Sequence, residues 1–121
     1  MAKTILAIDD DSDFLVTLKD ILEDEGFRVV TLSDPFKTEE FIAKYKPELL
    51  LIDILMPGRS GFNILEDFKE KGVHNNIPKM FLTCLDDDVE KMTASAWGVI
   101  EYIVKPLNVE AFILRVKDVL G

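Results

Sequence analysis

Acidic side chains directly follow two short apolar runs of this sequence. Asp9 and Asp10 come after residues 5–8, and Asp53 comes after residues 49–52. If these runs lie side by side, the carboxylates converge, and two unit charges about 4 Å apart repel by about 4 kcal/mol at an effective dielectric constant of about 20. Such repulsion is relieved by a raised carboxyl pKa or by a hard divalent cation, most often Mg²⁺ where carboxylates, waters and phosphate supply the ligands. The residue types therefore indicate a magnesium site.

A hydroxyl group and one cation end two further apolar runs. Thr83 ends residues 80–83, and Lys105 follows residues 102–104. The Lys105 ammonium offsets only one of the carboxylate charges. A chance cluster is the alternative for any single acid, because Asp is a common helix cap or turn former and the chain has 23 acidic residues. It explains the whole set poorly, because several polar residues would have to meet at one edge of a sheet.

The elements that position these residues follow from the hydrophobic pattern. Short apolar runs alternate with stretches in which apolar residues recur at intervals of three and four. Ser12 or Asp13 is expected to cap the first helix, and Pro35 to take the first position of the second. The predicted strands are residues 4–8, 28–32, 49–53, 80–83 and 102–104. Parallel strands need right-handed crossovers, so we expect a single α/β domain over residues 1–121, doubly wound around a five-stranded parallel sheet with helices on both faces. Ligands bind such sheets outside the carboxyl ends of the strands, which is where the polar residues are expected.

Composition excludes several classes of protein. The chain has 121 residues, 48% of them hydrophobic and 31% charged, which is too apolar for a disordered chain. Its formal net charge of -9 argues against direct nucleic-acid binding by this domain, because phosphate backbones are bound by basic patches. The apolar runs are far shorter than the roughly 20 residues of a membrane span, so no membrane partner is expected. With no signal peptide pattern and one cysteine, Cys84, a cytoplasmic location is expected. We expect the Cys84 thiol to be buried and inert.

The spacing of the polar residues matches one known family. Residues 5–10 read Ile-Leu-Ala-Ile-Asp-Asp, and residues 49–53 read Leu-Leu-Leu-Ile-Asp. Met-Pro-Gly follows at 56–58 with a further glycine at 61, and Thr83 and Lys105 stand 30 and 52 positions beyond Asp53. The sequence thereby resembles the receiver domain of two-component response regulators along almost its whole length. The resemblance implies the flavodoxin-like strand order 2-1-3-4-5 and a cis peptide bond between Lys105 and Pro106.

The resemblance also implies roles for the residues of the site. Asp53 would be the phospho-acceptor, taking a phosphoryl group from a sensor histidine kinase, a histidine phosphotransfer protein or a small phosphodonor. Asp10, Asp53 and the backbone carbonyl of Leu55 would bind Mg²⁺, with Asp9 as a more distant, partly water-mediated ligand. Thr83 and Lys105 would contact the phosphoryl oxygens. The protein would be no enzyme in the usual sense, catalysing only its own phosphorylation and dephosphorylation.

A conformational switch is implied as well. Thr83 would move toward the phosphoryl group, and Tyr102 would rotate into the space behind it. This would change the face formed by the fourth helix, the fifth strand and the fifth helix, and so control a downstream protein effector or a phosphorylation-dependent homodimer. Trp97, Lys91 and Arg115 are candidates for that face.

The acidic run also matches parts of two other motifs. Asp9 to Asp11 contain the Asp-x-Asp element of a haloacid dehalogenase phosphatase, although Asp13 replaces the Thr or Val of that family. An EF-hand fails because Phe14 stands where the loop requires glycine. A receiver-like module that is never phosphorylated is a further alternative. We interpret His74, in a polar stretch, as a surface loop residue, and the chain as either a stand-alone regulator or a domain of a longer protein.

Overall fold

The structure, a computed structural model, describes residues 2–121. Its elements in chain order are β1 (Thr4–Ile8), α1 (Ser12–Glu23), β2 (Arg28–Leu32), a 3₁₀ turn (Pro35–Lys37), α2 (Thr38–Tyr45), β3 (Leu49–Ile52), α3 (Gly61–Lys71), β4 (Lys79–Thr83), α4 (Asp88–Ala96), β5 (Glu101–Val104) and α5 (Val109–Leu120). Within the described range the strands form one parallel sheet in the order β2-β1-β3-β4-β5. The doubly wound α/β fold and the flavodoxin-like strand order are confirmed.

The neighbouring strands β1 and β3 consist of apolar residues, apart from Thr4, because both of their faces are covered. Every residue of β1 and β3 is buried. Alternate side chains point to opposite faces of a strand, so Leu6 and Ile8 pack with α2, α3 and α4, whereas Ile5 and Ala7 pack with α1 and α5. In register with them, β3 sends Leu50 to the first cluster and Leu51 to the second. The carboxyl ends of β1 and β3 are therefore held side by side.

Two helix starts differ from the sequence prediction. Asp11, and not Ser12 or Asp13, caps α1, because its extended backbone places the carboxylate to accept a hydrogen bond from the Phe14 N–H at 3.1 Å. Pro35 begins a 3₁₀ turn, and α2 starts at Thr38. The helices α1 and α5 have 12 residues each, and none of the helices within residues 2–121 has the length and hydropathy of a membrane span.

The start of α3 lies directly on the backbone that follows β3. The Gly61 N–H donates to the Ile54 carbonyl oxygen at 3.1 Å. A Cβ atom added at Gly61 would lie 2.8 Å from the Asp53 carbonyl oxygen and 3.1 Å from the Phe81 ring. Only glycine allows this close approach of the helix to the end of the strand.

We expect Gly61→Ala to lower the free energy of unfolding by about 2 kcal/mol, because the added methyl group overpacks a site bounded by backbone. Urea denaturation followed by circular dichroism measures this loss. The control is Glu66→Ala, an exposed position on the same helix, where a change within about 0.5 kcal/mol is expected. An unchanged or raised midpoint for Gly61→Ala would contradict the packing argument.

A buried guanidinium connects the loop after β3 to two helices. Arg59 is 7% exposed. One of its terminal nitrogens donates to the Pro35 carbonyl oxygen at 2.9 Å and to Glu39 at 2.7 Å, and the other donates to Glu39 at 2.6 Å and to Asp67 at 2.8 Å. Residues 53–61 are thereby fastened to the 3₁₀ turn, to α2 and to α3.

The Arg59–Glu39 pair predicts a pH dependence of stability. The hydrogen bonds from Arg59 hold the pKa of the Glu39 carboxyl below its usual value of 4.5. The ionised carboxylate therefore contributes stability that is fully present above pH 4.5 and is lost as the pH falls through the lowered pKa. We expect Glu39→Gln to lower the free energy of unfolding by about 1 kcal/mol at pH 7. Urea denaturation measured from pH 7 to pH 3 should show that this difference in the free energy of unfolding becomes smaller. The control variant Glu40→Gln, at an exposed neighbouring position, should unfold with the same free energy as the wild type throughout this range.

Candidate functional site

Three carboxylates meet at the carboxyl ends of β1 and β3. One oxygen each of Asp9, Asp10 and Asp53 lies within 4.8 Å of the others. Asp9 and Asp53 are 3% and 6% exposed, and Asp10 is exposed. The structure thus brings together the acids that the sequence placed at this edge of the sheet.

Backbone amides orient the two buried carboxylates. The Asp53 N–H continues the sheet ladder by donating to the Ile8 carbonyl oxygen at 2.9 Å. The Leu55 N–H donates to Oδ1 of Asp53 at 3.2 Å, and the Asp11 N–H donates to Oδ1 of Asp9 at 2.9 Å. Each carboxylate keeps its second oxygen free of these backbone bonds, so that oxygen can meet a cation.

Lys105 places its ammonium between the acids. Its Nζ lies 2.6 Å from Oδ2 of Asp9 and 3.8 Å from Oδ2 of Asp53. The Lys105 N–H donates to the Thr83 carbonyl oxygen at 2.8 Å, and the Lys105–Pro106 peptide bond is cis, as expected. The Phe14 ring centroid lies 4.0 Å from Nζ, so an aromatic face shields the cation on another side. This contact was not identified from the sequence because Phe14 and Lys105 are far apart along the chain.

The site keeps an excess of negative charge. Burial raises the pKa of the Asp9 carboxyl above its usual value, although the hydrogen bonds from Lys105 and from the Asp11 N–H oppose that rise. One ammonium faces three carboxylates, so the cluster attracts a further cation. The pocket measures about 220 Å³, enough for an ion with waters and one anionic group, and is lined by Asp9, Asp10, Asp11, Asp53, Leu55, Cys84 and Lys105. An all-oxygen donor set on the acidic wall suits Mg²⁺.

Thr83 and Tyr102 contact the same residue of the loop between β4 and α4. Thr83 is fully buried, and its Oγ1 accepts a hydrogen bond from the Leu85 N–H at 3.2 Å. The half-buried Tyr102 hydroxyl donates to the Leu85 carbonyl oxygen. Burial, together with the nearby acids, raises the pKa of Tyr102 above its usual value, so the hydroxyl stays a neutral donor. A movement of Thr83 would therefore be transmitted to Tyr102 through the backbone of Leu85.

The prediction that Cys84 is buried is wrong. Its side chain is exposed and lines the acidic pocket. Alternation alone would place Cys84 on the same face of the sheet as the buried Leu82. Cys84 is exposed because it lies one residue beyond the end of β4, at the open pocket. Asp11 also lines the pocket and supplies the N–H that orients Asp9.

The candidate residues for the switch face separate into two groups. Lys91 pairs with Asp86 at 2.6 Å and lies 5.9 Å from the Tyr102 ring centroid, and Arg115 pairs with Glu101. These contacts join α4 and α5 to β5 and the loop before α4. Trp97 instead packs toward α3: its ring lies 6.4 Å from that of Phe62, and Nζ of Lys69 lies 5.3 Å from its centroid. It therefore does not belong with Lys91 and Arg115.

His74 lies in the loop between α3 and β4, at the opposite end of the sheet from the acids. It is half-buried, and its ring forms a T-shaped pair with the Phe68 ring at a centroid distance of 4.9 Å. Burial lowers the pKa of its imidazole. The prediction of a loop position is confirmed, and its ring has a packing role.

The family model of the response regulator receiver domain matches residues 5–117. The chain belongs to this family. It is a receiver domain of two-component signalling, a phosphorylation-dependent signalling domain and not a classical enzyme. Receiver domains take phosphoryl groups from histidine kinases and act on effectors.

Similar proteins support the assignment along the whole receiver domain. The aerobic respiration control protein ArcA of Escherichia coli strain K12 is 31% identical over 117 residues, which are 97% of this chain and 48% of ArcA. The chain therefore spans about half the length of the curated relatives it matches. A two-component response regulator from Clostridium difficile superposes with a TM-score of 0.88 at 27% identity, covering 98% of this chain and 95% of that one. The BeF3-activated N-terminal receiver domain of Klebsiella pneumoniae RstA gives 0.88 at 27% identity, covering 98% of each chain.

Proposed function

We propose that this receiver domain accepts a phosphoryl group on Asp53 in a Mg²⁺-dependent reaction. The donor is a phosphohistidine of a sensor histidine kinase or histidine phosphotransfer protein, or a small phosphodonor. The observation that carries this proposal is the meeting of Asp9, Asp10 and Asp53 within 4.8 Å, beside one ammonium, at the mouth of an open pocket. An anionic phosphodonor approaches such a site only when a cation balances the negative charge of the carboxylates.

The oxygen ligands of the site divide between Mg²⁺ and the Lys105 ammonium. Asp10, Asp53 and the Leu55 backbone carbonyl would hold Mg²⁺, and Asp9, already engaged by Lys105 and the Asp11 amide, would act mainly through water. The ion supplies charge neutralisation and orients the phosphoryl oxygens. Counting Lys105 and the three acids, the site with a divalent cation is neutral.

Asp53 carries the transfer step. Its carboxylate oxygen forms a bond to phosphorus as the bond from phosphorus to the donor's imidazole nitrogen breaks, and the electron pair of that bond stays on the nitrogen. Lys105, whose Nζ is already 3.8 Å from Oδ2 of Asp53, neutralises the transferred oxygens. The domain thus catalyses its own phosphorylation, and hydrolysis of the acyl phosphate resets it.

Thr83 links this chemistry to the surface. To donate to a phosphoryl oxygen, the buried Thr83 hydroxyl moves and gives up its bond from the Leu85 N–H. Leu85 also accepts from Tyr102, so the loop and the tyrosine readjust together. This is the proposed switch.

The output surface is the face of α4, β5 and α5. It exposes apolar side chains, with Met92 73%, Val89 68% and Leu114 62% exposed, beside the Lys91–Asp86 and Arg115–Glu101 ion pairs. We propose that a protein effector, or a second copy after phosphorylation, binds there. With a net charge of -9, nucleic acid is not an expected direct partner. We place this activity in the cytoplasm and treat residues 1–121 as one receiver domain, because both core clusters pack on the same sheet.

Intact mass spectrometry after incubation with Mg²⁺ and acetyl phosphate tests the proposal. We expect a single labile phosphoryl adduct that is absent when the metal is chelated. If no adduct forms, binding of beryllofluoride distinguishes rapid hydrolysis from an inert site. A protein that forms no adduct and binds no beryllofluoride would overturn the proposal in favour of a docking module independent of phosphorylation.

A further inference from the structure

The loop between β3 and α3 carries both the acceptor and a proposed metal ligand. Asp53 opens this loop, and Leu55 follows two residues later. Internal hydrogen bonds at the loop are made by the N–H groups of Leu55 to Asp53, and of Met56 and Gly61 to Ile54. These bonds span few residues. The loop is held against the rest of the domain by Ile54 and Met56, which pack in the first core cluster, and by the side chain of Arg59.

We propose that Arg59 is a positioning residue, which holds this loop so that the Leu55 carbonyl and the Asp53 carboxylate face the metal pocket. The inference rests on the proposed function and extends it to a residue outside the acidic cluster. Arg59 is buried and touches none of the three acids. It acts through the backbone.

The geometry of the guanidinium makes it a clamp. Its two terminal nitrogens bind both oxygens of Glu39 on α2, and they also reach Asp67 on α3 and the Pro35 carbonyl. The planar guanidinium has several N–H donors in fixed directions, so it can bond to all of these acceptors at once. A lysine would supply only a point charge. The loop is thus tied at Arg59 to α2, to α3 and to the 3₁₀ turn.

A short path leads from the clamp to the acceptor. Arg59 is followed by Ser60, which caps α3, and by Gly61, whose added Cβ would lie 2.8 Å from the Asp53 carbonyl oxygen. On the other side of Arg59, Gly58 adopts a φ of +81° and packs against the Phe36 ring. A displacement of Arg59 therefore changes the backbone on which Asp53 and Leu55 stand.

The test separates positioning from general stability. The variants are Glu39→Gln, which replaces a carboxylate accepting through both oxygens with a neutral amide that has one acceptor oxygen, and Arg59→Lys, which removes the planar set of donors. Glu40→Gln is the matched control, because it makes the same charge change on the same helix at an exposed side chain. The readouts are amide hydrogen exchange in the metal-free protein and the Mg²⁺ dissociation constant from calorimetry. The Leu50 N–H, which donates to Pro78, reports global unfolding.

Loss of the clamp should loosen the loop first. We expect exchange at Leu55, Met56 and Gly61 to speed up about tenfold beyond any change at Leu50 in both clamp variants, and the Mg²⁺ dissociation constant to rise about threefold. Glu40→Gln should leave both readouts unchanged.

Two outcomes would overturn the inference. If loop and Leu50 amides accelerate by the same factor, Arg59 contributes only to overall stability. If the loop loosens while Mg²⁺ binds as before, the clamp does not position the metal ligands. Absence of Mg²⁺ binding by the wild type would instead defeat the proposed function, and the exchange comparison would still show whether Arg59 holds the loop. Glu39→Gln keeps the test informative if Arg59→Lys does not fold.

Discussion

Asp53→Asn is expected to abolish the phosphoryl adduct that the wild type forms with Mg²⁺ and acetyl phosphate. An amide keeps the shape of the side chain and can still accept the Leu55 N–H bond, but it lacks the carboxylate nucleophile. The side chain is 6% exposed, so an isosteric change disturbs packing little. Intact mass spectrometry should show unmodified protein at every incubation time.

The matched control for this prediction is Asp13→Asn, which removes one acid from the exposed first turn of α1. It should be phosphorylated at the wild-type rate. An adduct of wild-type yield on Asp53→Asn would contradict the assignment of the acceptor, and fragmentation of the adduct would then locate the true one. A stable, folded Asp53→Asn protein without adduct would assign the chemistry to this carboxylate.

The sheet could be predicted because its signal is local. The runs at residues 5–8 and 49–52 are apolar at every position, which is typical of strands covered on both faces. Parallel pairing of two such strands then brings Asp9 and Asp53 together without any knowledge of side-chain geometry. The convergence of the acids follows from the topology.

Ends of elements and side-chain partners could not be predicted in the same way. Asp11 and Ser12 are both good helix caps, and only the backbone angles show that Asp11 is used. Cys84 was predicted to be buried because thiols usually are, but its exposure depends on where β4 ends, which is one residue earlier. Arg59 binds Glu39 and Asp67, which stand 20 and 8 positions away on different helices, so no short-range pattern reveals the clamp.

The electrostatics of the pocket also depend on which acid pairs with Lys105, and the sequence does not determine this partner. Lys105 was placed at the correct edge of the sheet, but any of the three acids could have been its partner. The structure pairs it at 2.6 Å with Asp9, the acid with the least direct proposed role at the metal, and leaves Asp10 outside this pairing. The ammonium thereby pairs most closely with the acid proposed to reach Mg²⁺ through water, and it also lies 3.8 Å from Oδ2 of the proposed ligand Asp53.

Lys105→Met is expected to lower the rate of phosphorylation and to raise the affinity for Mg²⁺. The rate of phosphorylation by acetyl phosphate at saturating Mg²⁺ should fall about a hundredfold, because the transition state loses a preorganised donor to the transferred oxygens. The Mg²⁺ affinity should rise about tenfold, because a competing cation 3.8 Å from Asp53 has been removed. Stopped incubation with mass spectrometry measures the first quantity, and calorimetry the second.

The opposite signs of these two effects make the prediction specific. Lys117→Met, which removes a cation paired with Glu25 at 2.6 Å on the surface, should change neither quantity. If rate and Mg²⁺ affinity fell together in Lys105→Met, the lysine would be holding Asp9 and the pocket in shape, and the loss of rate would follow from the lost metal. If the rate falls and Mg²⁺ binds more tightly, Lys105 acts on the phosphoryl group itself.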